Sequence, residues 1–297
     1  MIVFGPINSR RFGLSLGVDL SGAMKQCNFD CVYCELEAAK PIKEQEKVLG
    51  VKEILDELKI VLEKGVKFDV LTLTANGEPS LYPHLKELLL ELKKLVKDKK
   101  ILILSNGTAV LDEEKMQCLM LCDIVKFSLD SANEKTFYKI DRALKEINLN
   151  TMIEKMAEFR AKFSGALVME ILVVKELNDK EEEFALLNEA LAKIAPTRVD
   201  LSSIDRPPAY AVSGVEEARL EELSRFISSV PVFIAKKKQG AKLSFCEEEL
   251  LNTLRLRPQS ELDVACFDDE SKKHLKNLLE RGQIKSVNLA GVGFYKA

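Results

Sequence analysis

Between residues 51 and 201 the chain alternates amphipathic segments with short β-branched runs about six times, and this rhythm restricts the fold more than any other feature. Residues 51–62 place Ile54, Leu55, Leu58, Val61 and Leu62 at helical spacing. Residues 70–74 form an apolar strand that ends in Asn76-Gly77-Glu78-Pro79. A Leu-rich helix over 83–97 leads to a strand at 101–104, closed by Ser105-Asn106-Gly107. Asp112 caps a short helix before the strand 124–129. A helix over 149–163, a strand over 167–174, a helix to Ile194 capped by Asn178-Asp179, and a strand at 199–201 complete the series. The pattern predicts an α/β fold of parallel strands with crossover helices. Periodicity does not separate an open sheet from a closed barrel. In both, ligands gather beyond the carboxyl ends of the strands, where Glu78, Asn106, Asp130 and Asp205 fall.

Ahead of that series, and after a first strand near Val18-Asp19-Leu20, runs Cys27-Asn-Phe-Asp-Cys31-Val-Tyr-Cys34. The spacing is CxxxCxxC, with no fourth cysteine nearby. Polar and aromatic residues between the thiols do not make one apolar helix face, so simple burial suits them poorly. Three thiolates on one short loop can hold three irons of a cubane cluster and leave the fourth iron open. A closed electron-transfer cluster or a structural zinc site normally takes four protein ligands. Zinc would need a distant fourth ligand, and the two histidines, His84 and His274, do not form a ligand pair. The other four cysteines, Cys118, Cys122, Cys246 and Cys266, make no compact motif and read as core residues.

Composition limits the remaining classes. The length of 297 residues suits one large domain of roughly 240 residues with an appendage. A hydrophobic fraction of 46% fits a globular protein, and no apolar run approaches the ~18 residues of a membrane span. Free cysteines without an export segment or paired spacings predict a reducing, cytoplasmic setting. A net charge of −3 gives no global attraction to nucleic acid. No His-based triad is visible, which argues against hydrolytic chemistry.

The polar run Ala235-Lys-Lys-Lys-Gln-Gly-Ala-Lys242 suggests a boundary, dividing residues 1–235 from a segment 243–297 through a linker at 236–242. The C-terminal segment predicts helices at 247–256 and 261–267 and a longer one from Asp268 or Asp269 to Arg281. Leu275, Leu278 and Leu279 face inward, and a hairpin about Ala290-Gly291 joins 283–289 to 292–295. Three helices and a hairpin resemble a winged helix-turn-helix domain. From Ala241 onward there are nine basic and nine acidic residues, without the basic excess of a dedicated DNA reader.

The cysteine loop and the α/β series that follows it resemble the radical S-adenosylmethionine superfamily, over about residues 14–235. The resemblance implies a partial (β/α)6 TIM-type barrel. It implies a 4Fe-4S cluster on Cys27, Cys31 and Cys34, with S-adenosylmethionine on the open iron. Reductive cleavage there would give methionine and a 5′-deoxyadenosyl radical. Tyr33 would lie near the adenine. Asn76-Gly77-Glu78-Pro79 matches the family's Gly-Gly-Glu motif with Asn in place of the first glycine. There Gly77 would let the backbone approach the cofactor, and Glu78 would accept from the methionine ammonium. Asn106, Ser128 and Asp130 match positions that reach the ribose and carboxylate, and Glu170 would point inward from the fifth strand. An electron donor such as flavodoxin or ferredoxin is implied as partner.

A narrower likeness joins Phe4 to Arg11, Phe137 to Arg142, Asn178-Asp179 and Arg206-Pro207-Pro208 to the wyosine-synthase-related branch. Wyosine synthases carry further cysteines upstream of the radical motif, and this chain has none before Cys27, which speaks against that reaction. Arg10, Arg11, Arg142 and Arg206 are candidates for phosphate or carboxylate contacts, and convergence on the cavity would favour an anionic or RNA substrate. Lys25 and Lys126 read as surface lysines. The expectation is a radical enzyme acting on a substrate not named by the sequence, RNA or protein being engaged through the C-terminal segment. An iron-sulfur nucleic-acid sensor with the C-terminal segment as output is the alternative.

Overall fold

The computed structural model describes residues 1–234, 240–289 and 292–297. Most of the linker and the hairpin turn at Ala290-Gly291 therefore lie outside the described residues.

Eight strands form one sheet in which spatial order follows chain order. β1 (Val3–Ser9) pairs antiparallel with β2 (Gly13–Asp19). From β2 onward every neighbour is parallel, through β3 (Val70–Thr74), β4 (Lys100–Ser105), β5 (Ile124–Ser128), β6 (Ala166–Val173), β7 (Arg198–Ser203) and β8 (Val232–Ile234). The crossovers carry α1 (Val51–Glu63), α2 (Leu85–Leu95), α3 (Glu113–Leu119), α4 (Glu134–Asp141) with α5 (Leu149–Lys162), α6 (Glu181–Ile194) and α7 (Glu217–Ser224). This is the partial-barrel form of the α/β class, with the strands' carboxyl ends on one side.

The expected strands and longer helices fall where the periodicity put them. β1 and β8 are additions: one is interrupted by Gly5-Pro6 and a bulge, the other is only three residues long, so neither shows a clean alternation. The α4 helix is also an addition, short and polar, started by Asn133 Oδ1 accepting from the Lys135 and Thr136 amides. Asp112 caps α3 as expected. Asn178 does not cap α6. Its buried side chain accepts from the Val174 amide and donates to the carbonyls of Asp130 and Leu172, tying strand ends together, and α6 begins after Lys180.

One apolar cluster fills the space between sheet and helices, from Leu16, Leu71 and Ile103 to Phe127, Leu167 and Leu201, all fully buried. A separate cluster unites Leu243, Phe245, Leu250, Leu254, Phe267, Leu275, Leu278 and Ile284. These come from α8 (Glu247–Leu256), α10 (Asp269–Glu280) and the segments flanking them, and α9 (Glu261–Ala265) lies between the two helices in the chain. A three-stranded antiparallel sheet completes the C-terminal segment, with β11 (Val292–Lys296) between β10 (Lys285–Leu289) and β9 (Gln259–Ser260). Asn8 of β1 bonds both backbone groups of Ala241, at 2.8 and 2.9 Å, and fixes this segment to the sheet edge.

Behind β5, Phe159 packs between Phe127 (centroids 5.5 Å) and Phe163 (4.8 Å), fully buried. Truncation of Phe159 to Ala should cost about 3–5 kcal/mol, read by urea unfolding. A cost below about 1 kcal/mol would show that these rings do not support the strand carrying Ser128.

Candidate active site

The loop from Leu20 to Gly50 has almost no regular structure, so its shape depends on specific bonds. Gln26, only 1% exposed, takes part in six of them. Its side-chain amide donates to the carbonyls of Ser21 and Lys47, and its oxygen accepts from the Glu46 and Lys47 amides. Its backbone pairs with the turn after β3: the Gln26 amide donates to Asn76 O at 2.7 Å, and the Glu78 amide to Gln26 O at 2.9 Å. Gly77 sits inside that pairing with φ 141°, and a Cβ there would lie 1.9 Å from Gln26 O. Glycine is required at this position because two backbones meet there.

Asn76, which stands at the expected glycine position, is also accounted for. Its side chain donates to Asp19 Oδ2 and Gly22 O, and its amide to Asp19 Oδ1 at 2.8 Å. Burial lifts the Asp19 carboxyl to about 6, against the lowering effect of those donors. The substitution therefore adds a polar clamp between β2 and β3 and leaves the following Gly-Glu in place.

The other side of the cysteine loop is held from farther along the chain. The amides of Asp30 and Val32 donate to the carbonyls of Asp141 and Ile140, and the Leu144 amide to Asn28 O. Asn28 also donates from its side chain to Thr108 Oγ1 (2.8 Å) and accepts from Asn106 Nδ2 (2.6 Å). Thus α4 and the turn after β4 jointly set the backbone that carries the thiols.

Cys27, Cys31 and Cys34 line one cavity together with Tyr33, Gly77 and Glu78. Asn106, Ser128 and Glu170 line it from the next strand ends, joined by Lys25 and Lys126. All three thiols are free, and burial raises each, Cys27 to about 12. Deprotonating them takes a bound metal. Among the described residues, no three His, Cys, Asp or Glu side chains meet at a point as around a single ion. Three thiols and no histidine line the cavity, a donor set that suits an iron-sulfur cluster with one iron left open. The donor set and its placement therefore fit the cluster.

Glu78 is 1% exposed, and its two oxygens accept from the amides of Ser80 (3.0 Å) and Asn106 (2.7 Å). Burial raises its pKa, with those donors opposing. Its immediate task is to join the turns after β3 and β4. Asp130 does not line the cavity: it accepts from Tyr33 Oη (2.5 Å) and from the Leu172 amide (2.7 Å), behind the wall. Burial raises Asp130 to about 6, and burial with the neighbouring Asp130 charge raises Asp141 well above the carboxylate range. The Cys31 thiol donates to Asp141 Oδ1 at 3.4 Å, a contact that opposes this rise.

Lys25 and Lys126 are not surface lysines: their side chains are 8% and 7% exposed. Lys25 pairs with Asp30 at 2.8 Å. Lys126 pairs with Glu170 at 2.7 Å, and Arg11 reaches Glu170 at 3.1 Å and Asp200 at 3.2 Å. Burial would raise Glu170, but Lys126 and Arg11 outweigh it and hold Glu170 below the usual range. The four arginines do not converge on this cavity. Only Arg11 faces it, through Glu170. Arg142 lies over the Tyr210 ring at 4.1 Å, and Arg10 and Arg206 line a second cavity. Cys118, Cys122 and Cys266 are buried as expected, whereas Cys246 is exposed ahead of α8. Sequence reading gave no role to Gln26, Asn28 or Asp141, although Gln26 and Asn28 flank Cys27 and Asp141 lies in the 137–142 segment of the narrower likeness.

The Radical SAM superfamily profile matches residues 23–187. A UPF0026 protein of Helicobacter pylori (strain J99) is 41% identical over all of this chain and 97% of its own length. Among solved structures, Streptococcus suis SuiB bound to S-adenosylmethionine superposes with TM-score 0.57 at 15% identity, covering 76% of this chain and 51% of SuiB. An archaeal TYW1 superposes with TM-score 0.50 at 14% identity, over 77% and 75% of the two chains. Likeness at these identities concerns the fold.

Gly77→Ala should destabilise the fold by about 3 kcal/mol or more, since a Cβ must displace Gln26 O and the backbone is strained. An unchanged denaturation midpoint would contradict the bridge. Asp19 has a raised folded pKa of about 6, so the folded state binds more protons than the unfolded one between about pH 4 and 6. Stability contributed by this group is present below about pH 4 and is lost as pH rises to about 6, by about 2–3 kcal/mol. Asp19→Asn should flatten that part of the stability–pH curve, and identical curves would rule the linkage out.

Proposed function

Because the chain belongs to the radical SAM superfamily and is one of its enzymes, we propose that Cys27, Cys31 and Cys34 carry a 4Fe-4S cluster used to cleave S-adenosylmethionine reductively. The observation that carries this reading is the shared cavity of the three free thiols, Gly77 and Glu78 at the carboxyl ends of parallel strands. A cluster held by Cys27, Cys31 and Cys34 would supply one-electron reduction for cleavage of the sulfonium.

The chain's own residues bind, orient and shield. The Gln26–Gly77 bridge holds the thiols against the turn where Glu78 lies. Glu78, fixed by two amides, offers its remaining lone pairs to an ammonium group. The Asn106 amide group, oriented by Asn28 and Thr108, lies at the mouth of β4 within reach of ribose or carboxylate oxygens. Ser128, Lys126 and Glu170 form the opposite wall and would meet the substrate, with Lys126 and Glu170 holding each other in place. Tyr33, anchored by Asp130, keeps its ring on the wall for stacking with adenine.

The substrate we infer is anionic, a reading supported by Arg10 and Arg206 in a neighbouring cavity and not by convergence at the thiols, with RNA the class that the C-terminal segment would present if its three helices and small sheet act as a winged-helix module. The setting is a reducing cytoplasm, with flavodoxin or ferredoxin as electron donor. Among the described residues no helix is long and apolar enough to cross a membrane.

Anaerobic reconstitution should give about four irons and four sulfides per chain, and dithionite with S-adenosylmethionine should give 5′-deoxyadenosine. Replacing Cys27, Cys31 or Cys34 with Ala should abolish both. A full 4Fe-4S spectrum in any of the three variants would refute the ligand assignment.

A further inference from the structure

Besides the cysteine cavity, a second cavity of ≈ 400 Å³ lies between the β1–β2 turn, the loop after β7 and the C-terminal segment. Three guanidinium groups line it, one from each part, Arg10, Arg206 and Arg257, and the carboxylates of Asp69, Asp205 and Asp263 line it too. Arg10 is ion-paired with Asp205, and Arg206 with Glu35 at 3.4 Å. Arg257 is different. Among the described residues it has no ion pair, and its Nε is buried without a hydrogen-bond partner. A buried Nε–H left so is costly, and a fork of donors beside two further arginines is suited to an oxyanion.

We propose that this cavity binds a phosphate group of the substrate, with Arg257 as its principal ligand and Arg10 and Arg206 beside it. The proposal deepens the anionic-substrate reading above and rests on it for the word substrate, but not for the binding itself. Burial, and then the Arg206 charge, lower Arg257 to about 10, outweighing the carboxylates of Asp263, Glu35 and Asp205 that favour its charged form. The site is wired to the cysteine cavity on two sides. Glu35, the partner of Arg206, follows Cys34 directly, and the Ala209 amide donates to Cys34 O at 2.8 Å. Arg10 precedes Arg11, which contacts Glu170 in the cysteine cavity. A phosphate held here would leave the rest of a substrate to reach that cavity across a turn shared by both. The phosphate could belong to a free phosphorylated metabolite or to an RNA backbone, since the recognising chemistry is the same.

The test is calorimetric titration of the full chain with inorganic phosphate, without reductant-driven turnover, so its outcome is independent of cofactor cleavage. Wild type should show saturable binding, weakened at least tenfold in Arg257→Gln and only partly in Arg257→Lys, which keeps the charge but loses the fork. Arg142→Gln, outside the cavity, should bind as wild type. In phosphate-free buffer Arg257→Gln should melt no lower than wild type, because an unpartnered buried cation has been removed. No saturable binding, or equal binding by Arg257→Gln, would overturn the proposal, as would a marked drop in melting temperature for both Arg257 variants without phosphate. Ribose 5-phosphate and a short RNA then separate the sources: tighter binding of the one over the other, lost in Arg257→Gln, identifies which carries the phosphate.

Discussion

The site depends on a two-residue backbone bridge. Gln26 and Gly77 pair as parallel strands do, although neither belongs to a strand, and the contact leaves no room for a side chain at Gly77. A loop of some thirty residues without helix or sheet would ordinarily sample many conformations, at an entropy cost that grows with its length. Here one buried glutamine uses its side chain to close the loop upon itself and its backbone to dock the loop on the sheet. The thiols are thereby placed with respect to Glu78 by main-chain bonds, which are stiffer than side-chain contacts.

A second constraint is electrostatic. The barrel interior holds Lys126, Glu170, Asp200 and Arg11 within ion-pairing distance of one another, most of them well buried. Such charges are tolerated only in company, and removing one member leaves the others uncompensated. The interior is thus polar by construction on the side facing the thiols. It can orient a charged guest, whereas an apolar barrel of the same strands would only enclose one.

How much of this was legible follows from the physics of each signal. The parallel series from β2 to β7 was readable because buried strands are apolar throughout and their helices keep a 3.6-residue period. The short edge strands β1 and β8 carry no such pattern, and α4 is too short and polar to show one. The cysteines, Gly77, Glu78 and Asn106 were legible because their chemistry or their turn is local. Asp130 was misread as a cavity residue because its place at a strand end says nothing of which way the chain turns next. Lys25 and Lys126 were read as surface residues because lysine is rarely buried, and only pairing with Asp30 and Glu170 permits it. Arg257 could not be connected to Arg10 and Arg206 in the sequence, since they meet only when the C-terminal segment packs on the sheet edge.

The bonds from Asp30 and Val32 to Asp141 and Ile140 also order events in time. Cys31 and Asp141 are 110 positions apart, and strands β3 to β5 are made between them. During synthesis the thiols leave the ribosome long before the helix that completes their loop. Sheet order follows chain order, so each strand can dock on its predecessor as it emerges, and the loop gains these contacts only at the fourth crossover, with α4, and those of Arg206 and Ala209 later still. The nascent chain thus carries its three thiols before the contacts that fix their loop exist.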